Sequence, residues 1–269
     1  MKPFVRAGSS LESALHAASI VSTLLVASDF DGALAEFAVD PNDVRPAPGA
    51  MEALRGLARL PRTTVALASG RDLRTLRELS GLGSAEPIVL IGSHGAESTR
   101  QGIAAQTRLE PAQRARLDEL TARAAELIDG HPRARLERKQ AAVAIHTRGL
   151  DQAQADSALA EAEALATDLP DVRVLTGKSV VELSVSKADK GTAVSALADL
   201  SHADAVFYSG DDVTDEDAFR ALRADKRNVT VKVGPGETAA RYRVDDVPGL
   251  VQVIAELHRL RADAADAAG

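Results

Sequence analysis

One stretch near the start of the chain limits its fold more than any other. Leu24-Leu25-Val26-Ala27-Ser28 shows no polar alternation, and it ends abruptly in Asp29-Phe30-Asp31-Gly32. An apolar run of this kind reads as a parallel strand covered on both faces. Open α/β sheets place their ligands at the carboxyl ends of such strands. Side chains at i and i+2 of an extended segment point the same way. Asp29 and Asp31 are therefore expected at one strand tip, with Gly32 allowing a sharp exit. Two like charges held that close need a cation, a shared proton, or both. The same residues also suit an ordinary Asp-Gly turn, so the rest of the chain has to decide.

Four more apolar strands follow the same plan. Thr63–Ala68 runs into Ser69-Gly70-Arg71-Asp72, and Pro87–Ile91 into Gly92-Ser93-His94-Gly95-Ala96-Glu97. Ala205–Ser209 runs into Gly210-Asp211-Asp212-Val213-Thr214-Asp215, and Val229–Val233 into Gly234-Pro235-Gly236. Apolar stripes at helical spacing lie between them: 9–20 behind a Ser9 or Ser10 cap, 49–60 behind Pro48, a helix after Asp72, Lys190–Leu200, and Val247–Leu260. The tail from Ala262 is expected to fray. Alternating strand and helix is the α/β signature. Ser69 with Asp72 resembles a capping box. The same hydroxyl, glycine amide and helix start also suit a phosphate oxygen.

The texture changes between 108 and 183. A charged amphipathic helix over Pro111–Asp129 precedes two strands, Ala134–Lys139 and Ala142–Arg148, the second partly alternating. A helix over 151–167 and short strands at 172–175 and 180–185 complete the block. It reads as a small α+β unit inserted into the α/β domain, which takes 1–107 and 184–269.

Composition removes several function classes. The 269 residues carry a formal net charge of -7, and aromatics are 3% with no Trp. That balance disfavours a nucleic-acid partner, by charge and by the lack of stacking platforms. Cysteine is absent, which excludes disulfides and thiolate metal sites. No apolar run has membrane-span length, so no membrane partner is expected. Glu12 and His16 interrupt the only candidate leader core, and a cytoplasmic location is the expectation. The sequence sets no oligomeric state.

The polar clusters Asp29/Asp31, Ser69, His94 and Asp211/Asp212/Asp215 all sit at strand ends, which a parallel sheet gathers on one edge. Several carboxylates converging there suit a hard cation with oxygen ligands, and Mg²⁺ is the usual choice beside phosphate. Lys190 adds a positive charge from a helix start. The acids of 211–217 also suit the positive end of a helix dipole without any ligand.

DxDG, a hydroxyl after the second strand, a lysine, and then GDDxxD form an ordered set. In that order they resemble the haloacid-dehalogenase-like (HAD) phosphatases across the whole core. Three longer strings are similar to one member family, the trehalose-6-phosphate phosphatases. They are Gly92–Glu97, Gly210–Phe219 and Val233-Gly234-Pro235-Gly236-Glu237-Thr238-Ala239. In the inserted block, Glu137-x-Lys139, His146-x-Arg148, and Gly177-Lys178 with Glu182 look like that family's sugar-holding residues.

The resemblance implies a HAD-like Rossmannoid core with a parallel sheet and a C2-type α+β cap. It implies two-step phosphoryl transfer from a small-molecule sugar phosphate, trehalose 6-phosphate. Asp29 would attack phosphorus and Asp31 would act as acid and then base. Mg²⁺ would be held by Asp29, the carbonyl of Asp31 and Asp211, with Asp212 and Asp215 nearby. Ser69 and Lys190 would bind phosphoryl oxygens, with Gly70, Arg71 and His94 beside them. Glu137, Lys139, Arg148, Lys178 and Glu182 would read the sugar. A sucrose-phosphate or glycosyl-phosphoglycerate type of phosphatase, or a weakly catalytic sugar-phosphate-binding regulatory module, are the alternatives. Two departures stand out. Ala33 replaces the usual Thr after DxDG, and Val185-Ser186-Lys187-Ala188-Asp189 lacks the Arg-Pro or Pro-Arg pair often found before the lysine.

Overall fold

The computed structural model describes residues 10–103, 109–169, 171–177 and 179–268. The chain divides into two compact units, Met1–Ala104 with Asp189–Gly269, and Ala105–Ala188.

The first segment of the larger unit carries α1 (Leu11–Ser19), β1 (Leu24–Ser28), α2 (Ala50–Arg59), β2 (Thr63–Ala68), α3 (Leu73–Ser80), β3 (Ile88–Gly92) and β4 (Glu97–Ser98). The smaller unit carries α4 (Pro111–Gly130), β5 (Arg135–Arg138), β6 (Ala142–His146), α5 (Gln152–Ala164), β7 (Arg173–Gly177) and β8 (Val180–Ser184). The return segment adds α6 (Lys190–Leu200), β9 (Ala205–Gly210), α7 (Asp215–Leu222), β10 (Val229–Val233), β11 (Tyr242–Val244) and α8 (Val247–Ala268).

The larger unit's sheet has the order β11-β10-β9-β1-β2-β3-β4. All its pairings are parallel except β3 with β4. β1 is central, and its neighbours come from both segments: Leu24 pairs with Thr63 on one side and with Ala205 on the other. Its continuous apolar run has a direct cause. Leu24 and Val26 enter the core beneath α1, α2 and α8, while Leu25 and Ala27 enter the core beneath α6 and α7. With both faces dry, alternation disappears. The carboxyl ends of β1, β2, β3, β9 and β10 fall on one edge.

The smaller unit is an antiparallel sheet ordered β5-β6-β8-β7. Leu117, Leu120 and Ala124 of α4 and Ala162 of α5 pack on Val143, Ile145, Val181 and Leu183. Its second face keeps the residues between those: Glu137, Ala144, His146 and Glu182. The division from the larger unit falls at 188/189 rather than at 183/184. Val185 belongs to the small core, its amide donates to the Ala141 carbonyl, and its carbonyl accepts from Gln113.

One local expectation is corrected. α8 does not stop near Leu260 but continues to Ala268. Arg261 anchors it, buried and donating to the carbonyls of Ser19, Val21, Ser22 and Arg62. The strands β4 and β11 are too short to leave a periodic signal and were not anticipated. Among the described residues, no helix is long and apolar enough to cross a membrane.

Candidate active site

β1 ends in a lock against β9. The Asp29 amide donates to the Ser209 carbonyl at 2.8 Å, and the hydroxyls of Ser209 and Ser28 are bonded at 2.9 Å. The chain then turns tightly, with the Gly32 amide donating to the Ala35 carbonyl and the Leu34 and Ala35 amides donating to that of Phe30. Gly32 is required twice over. Its φ is +77°, and a Cβ there would lie 2.2 Å from Asp211 Oδ2.

The two acids of the opening motif meet different partners. Asp29, 4% exposed, lies 2.9 Å from Lys190 Nζ through Oδ1. Asp31 is gripped by Arg71 through two bonds, 2.8 Å from Nε and 2.6 Å from Nη2. Lys190 opens α6 behind the Asp189 cap, and its buried ammonium also donates to Asp215 Oδ1 at 2.8 Å. Asp215 Oδ1 accepts a second bond from the Tyr208 hydroxyl at 2.7 Å, and Oδ2 accepts from the Asp212 amide at 3.0 Å.

Oxygens of Asp29, Asp211 and Asp215 all lie within 4.8 Å of one another. The side chains of Asp31 and Asp212 are not in that group, because Arg71 draws one away and the other is exposed. Asp211 Oδ1 is buried and accepts no hydrogen bond among the described residues. Three carboxylates thus cluster about one ammonium that pairs with two of them, and the buried Asp211 Oδ1 is unmatched. A hard divalent cation with oxygen ligands fits that deficit in charge and in donor type.

The titration behaviour reports the same excess. Burial pushes the Asp29 carboxyl well above its ordinary range, and Asp215 adds to this against the pull of Lys190. Asp211 is pushed up to about 7 by burial and by Asp215. Burial acts to lower the Lys190 ammonium, but Asp215 and Asp29 outweigh it and hold it well above its ordinary value. Burial, then the charges of Asp215 and Asp29, raise the Tyr208 phenol.

Ser69 stands at the tip of β2, buried, with its hydroxyl accepting from the Arg71 amide at 3.1 Å. It does not cap α3. Asp72 does, accepting from the Thr75 amide and hydroxyl at 2.8 Å each, because the helix begins only at Leu73. Gly70 and His94 sit beside Ser69 in this same edge.

The remaining candidates belong to the smaller unit. Lys139 and the buried Glu182 form a part-buried pair at 2.6 Å, reaching across β6. Glu137 Oε2 lies 2.7 Å from His146 Nε2, and that bond holds the Glu137 carboxyl below its ordinary range. Glu137 and Glu182 both register with Ala144, from opposite sides. Arg148 is exposed just beyond β6, and Lys178 lies outside the described residues.

Sequence reasoning missed Tyr208 and Lys232. Lys232 is buried in β10 and donates to the Asp211 carbonyl. A lone lysine inside Val-Thr-Val-Lys-Val is a signal in itself, since such a charge needs a buried partner. Tyr208 carries a weaker one: a phenol in a dry strand must place its hydroxyl. Tyr208→Phe leaves Asp215 one donor short, and it should cost about 1–3 kcal/mol in denaturant unfolding.

A family model described as trehalose-phosphatase matches residues 27–248. The trehalose-6-phosphate phosphatase of Escherichia coli K12 is 32% identical over 224 residues, covering 82% of this chain and 81% of that protein. The trehalose-phosphate phosphatase of Mycobacterium leprae is 33% identical over 252 residues, covering 87% of this chain and 57% of that protein. A bifunctional trehalose-6-phosphate synthase/phosphatase of Thermoproteus tenax is 34% identical over 238 residues, covering 87% of this chain. The chain spans only 32% of that protein's length. Among solved structures, the C-terminal domain of Candida albicans trehalose-6-phosphate phosphatase superposes with a TM-score of 0.79 at 21% identity, covering 96% of this chain and 99% of that one. A HAD subclass IIB sugar phosphatase gives 0.60 at 14%, covering 86% and 98%. These two likenesses carry the fold alone, and it is the HAD-like one. With the family model taking in the strand tips, the inserted unit and the acidic run alike, the chain belongs to the trehalose-phosphatase family.

Proposed function

We propose that this chain hydrolyses trehalose 6-phosphate to trehalose and phosphate, with Mg²⁺, through a phosphorylated Asp29. The observation that carries the proposal is the buried Asp29 carboxylate, paired to Lys190 through Oδ1, beside an acidic cluster short of positive charge. Lys190 faces Oδ1, and Oδ2 is the oxygen assigned to attack phosphorus.

In the first step a bond forms between that oxygen and phosphorus, and the bond from phosphorus to the sugar oxygen breaks. Asp31 gives the sugar oxygen its proton, which requires the Arg71 grip to open. In the second step Asp31 takes a proton from water, whose oxygen attacks phosphorus and releases Asp29. Ser69 and Lys190 bind the phosphoryl oxygens not in transit, and Asp215 with Tyr208 keeps the ammonium in place. Asp29, the Asp31 carbonyl and Asp211 would hold Mg²⁺, with Asp215 behind them since both of its oxygens are engaged. Bound there, the cation offsets the repulsion between carboxylate and phosphate. The smaller unit is the sugar-reading cap, through Glu137, Lys139, Arg148, Lys178 and Glu182.

Phosphate release over a panel of sugar phosphates tests this reading. Trehalose 6-phosphate should exceed sucrose 6-phosphate, glucose 6-phosphate and a glucosyl phosphoglycerate by at least about tenfold in kcat/KM. Chelation should abolish all of it. Equal rates across the panel, or full activity after chelation, would sink the assignment.

Cation binding should also be visible without substrate. Because the Asp211 carboxyl titrates near 7 when folded and near 3.8 otherwise, its neutral form favours folding. That contribution is complete below 3.8 and is lost as pH rises through 7. A cation takes the place of the proton, and competes with it at low pH. Mg²⁺ should therefore raise the thermal midpoint more at pH 8 than at pH 6, by scanning calorimetry. An equal rise at both would remove Asp211 from the ligand set.

A further inference from the structure

The turn after β3 is left-handed at three consecutive residues, Ser93 (φ 48°), His94 (φ 54°) and Gly95 (φ 104°). Only the last is a glycine. For residues with a Cβ this backbone region is costly, and it persists where the surroundings over-determine it. Here they do. The Ser93 amide donates to the Arg71 carbonyl at 2.8 Å, the His94 amide to the Ser69 carbonyl at 3.0 Å, and the Ser69 amide returns a bond to Ile91 at 2.9 Å. The Ser93 hydroxyl is tied to Glu97 Oε1 at 2.5 Å.

The turn is wedged between two elements that carry the chemistry. On one side the His94 ring lies flush on Gly70, so that a Cβ there would come within 2.5 Å of Cε1 and 2.6 Å of Nε2. On the other side a Cβ on Gly95 would lie 2.6 Å from the Asp189 carbonyl and 3.0 Å from the Ala193 Cβ. Asp189 caps α6, and Lys190 is its first residue. The turn is therefore a spacer between the Ser69-Gly70-Arg71 corner and the Lys190 end of α6. Ser93 spends its side chain on Glu97. That leaves the imidazole as the group which the left-handed backbone delivers.

We propose that His94 is a positioning residue: its ring, held by the strained 92–95 turn, fixes the Ser69-Gly70-Arg71 corner at the working distance from Lys190. The proposal rests on the reading that Ser69 and Lys190 bind phosphoryl oxygens. Small displacements of such groups are expensive, since an error of about 1 Å can cost about a hundredfold.

Two variants separate the ring from the backbone. Asn tolerates the left-handed region, so His94→Asn removes the imidazole and keeps the turn. His94→Gly removes both the ring and the strain at that residue. Three measurements are made on the Mg²⁺-loaded full chain: affinity for inorganic phosphate by calorimetry, kcat and KM for trehalose 6-phosphate, and the thermal midpoint. For His94→Asn, phosphate affinity and kcat should each fall about tenfold, with the midpoint within about 2 °C of the parent. His94→Gly should lose as much function while melting no lower than His94→Asn. Phosphate affinity and kcat within twofold of the parent in His94→Asn would overturn the proposal. So would losses that follow the midpoint down in both variants, which is the mark of a purely structural residue. A parent that binds phosphate but releases none from trehalose 6-phosphate would refute the functional reading alone, and phosphate affinity would then decide the role of His94. A parent that binds no phosphate would end both.

Discussion

Asp29→Asn is expected to stop phosphate release, by at least about a thousandfold, and to leave the chain folded. The side chain keeps its shape and loses only its charge. The stability half of the expectation follows from the local electrostatics. Burial and Asp215 already favour a neutral group at this position, against Lys190. An amide is such a group, so the thermal midpoint of the cation-free protein should not fall. Phosphate assays and calorimetry on one preparation check both halves. Release at the parental rate would refute covalent transfer through Asp29. Loss of release together with loss of folding would mean that Asp29 is a structural ion-pair member first.

Lys190→Met should have the largest effect on stability. Lys190 is 2% exposed and neutralises two carboxylates that are themselves buried. Removing one partner of a buried pair strands the other, at about 3–5 kcal/mol. The sign with pH is open to test. In the parent, the raised lysine contributes below its unfolded value of 10.5 and loses this only as pH rises beyond it, so the contribution is flat across neutrality. In the variant, Asp29 loses the charge that holds its carboxyl down, and burial and Asp215 then drive it to take up a proton. Its stability should therefore climb as pH falls from 8 towards 5, where the parent shows no such lysine-linked change. Chemical denaturation at several pH values measures this. A flat deficit would show that the acids find another cation. Turnover should be lost with the ammonium.

Much of this was legible in the sequence, for reasons that particular residues make plain. β1 and β2 announced themselves because dry parallel strands leave unbroken apolar runs. Asp29, Lys190 and Asp211 stood out because each sits just past such a run or opens a helix. The inserted unit was visible as a change of texture, but its exit was placed too early. Val185 ends a strand read from the sequence, and its bonds to Ala141 and Gln113 and its place in the small core keep it with that sheet. What stayed hidden were single residues whose meaning is three-dimensional. Tyr208 matters through an acid on the next helix, and Arg261 through carbonyls from distant segments. The capping reading of Ser69 failed because spacing alone cannot say where a helix begins. Ala33, the departure from the usual Thr, is fully buried in the apolar core, where it leaves no hydroxyl to satisfy.

The place of β1 between β2 and β9 has a consequence for how the molecule comes into being. Its second neighbour, from Ala205 onward, is made long after the first. Synthesis runs from the amino end, so a ribosome that has delivered β1, β2 and β3 has also delivered Asp29, but neither Lys190 nor Asp211. The antiparallel inserted sheet can form from local contacts while the parallel one waits for its distant partner. A half-made chain therefore carries Asp29 without the ammonium that pairs with it and without the acid that completes its cluster.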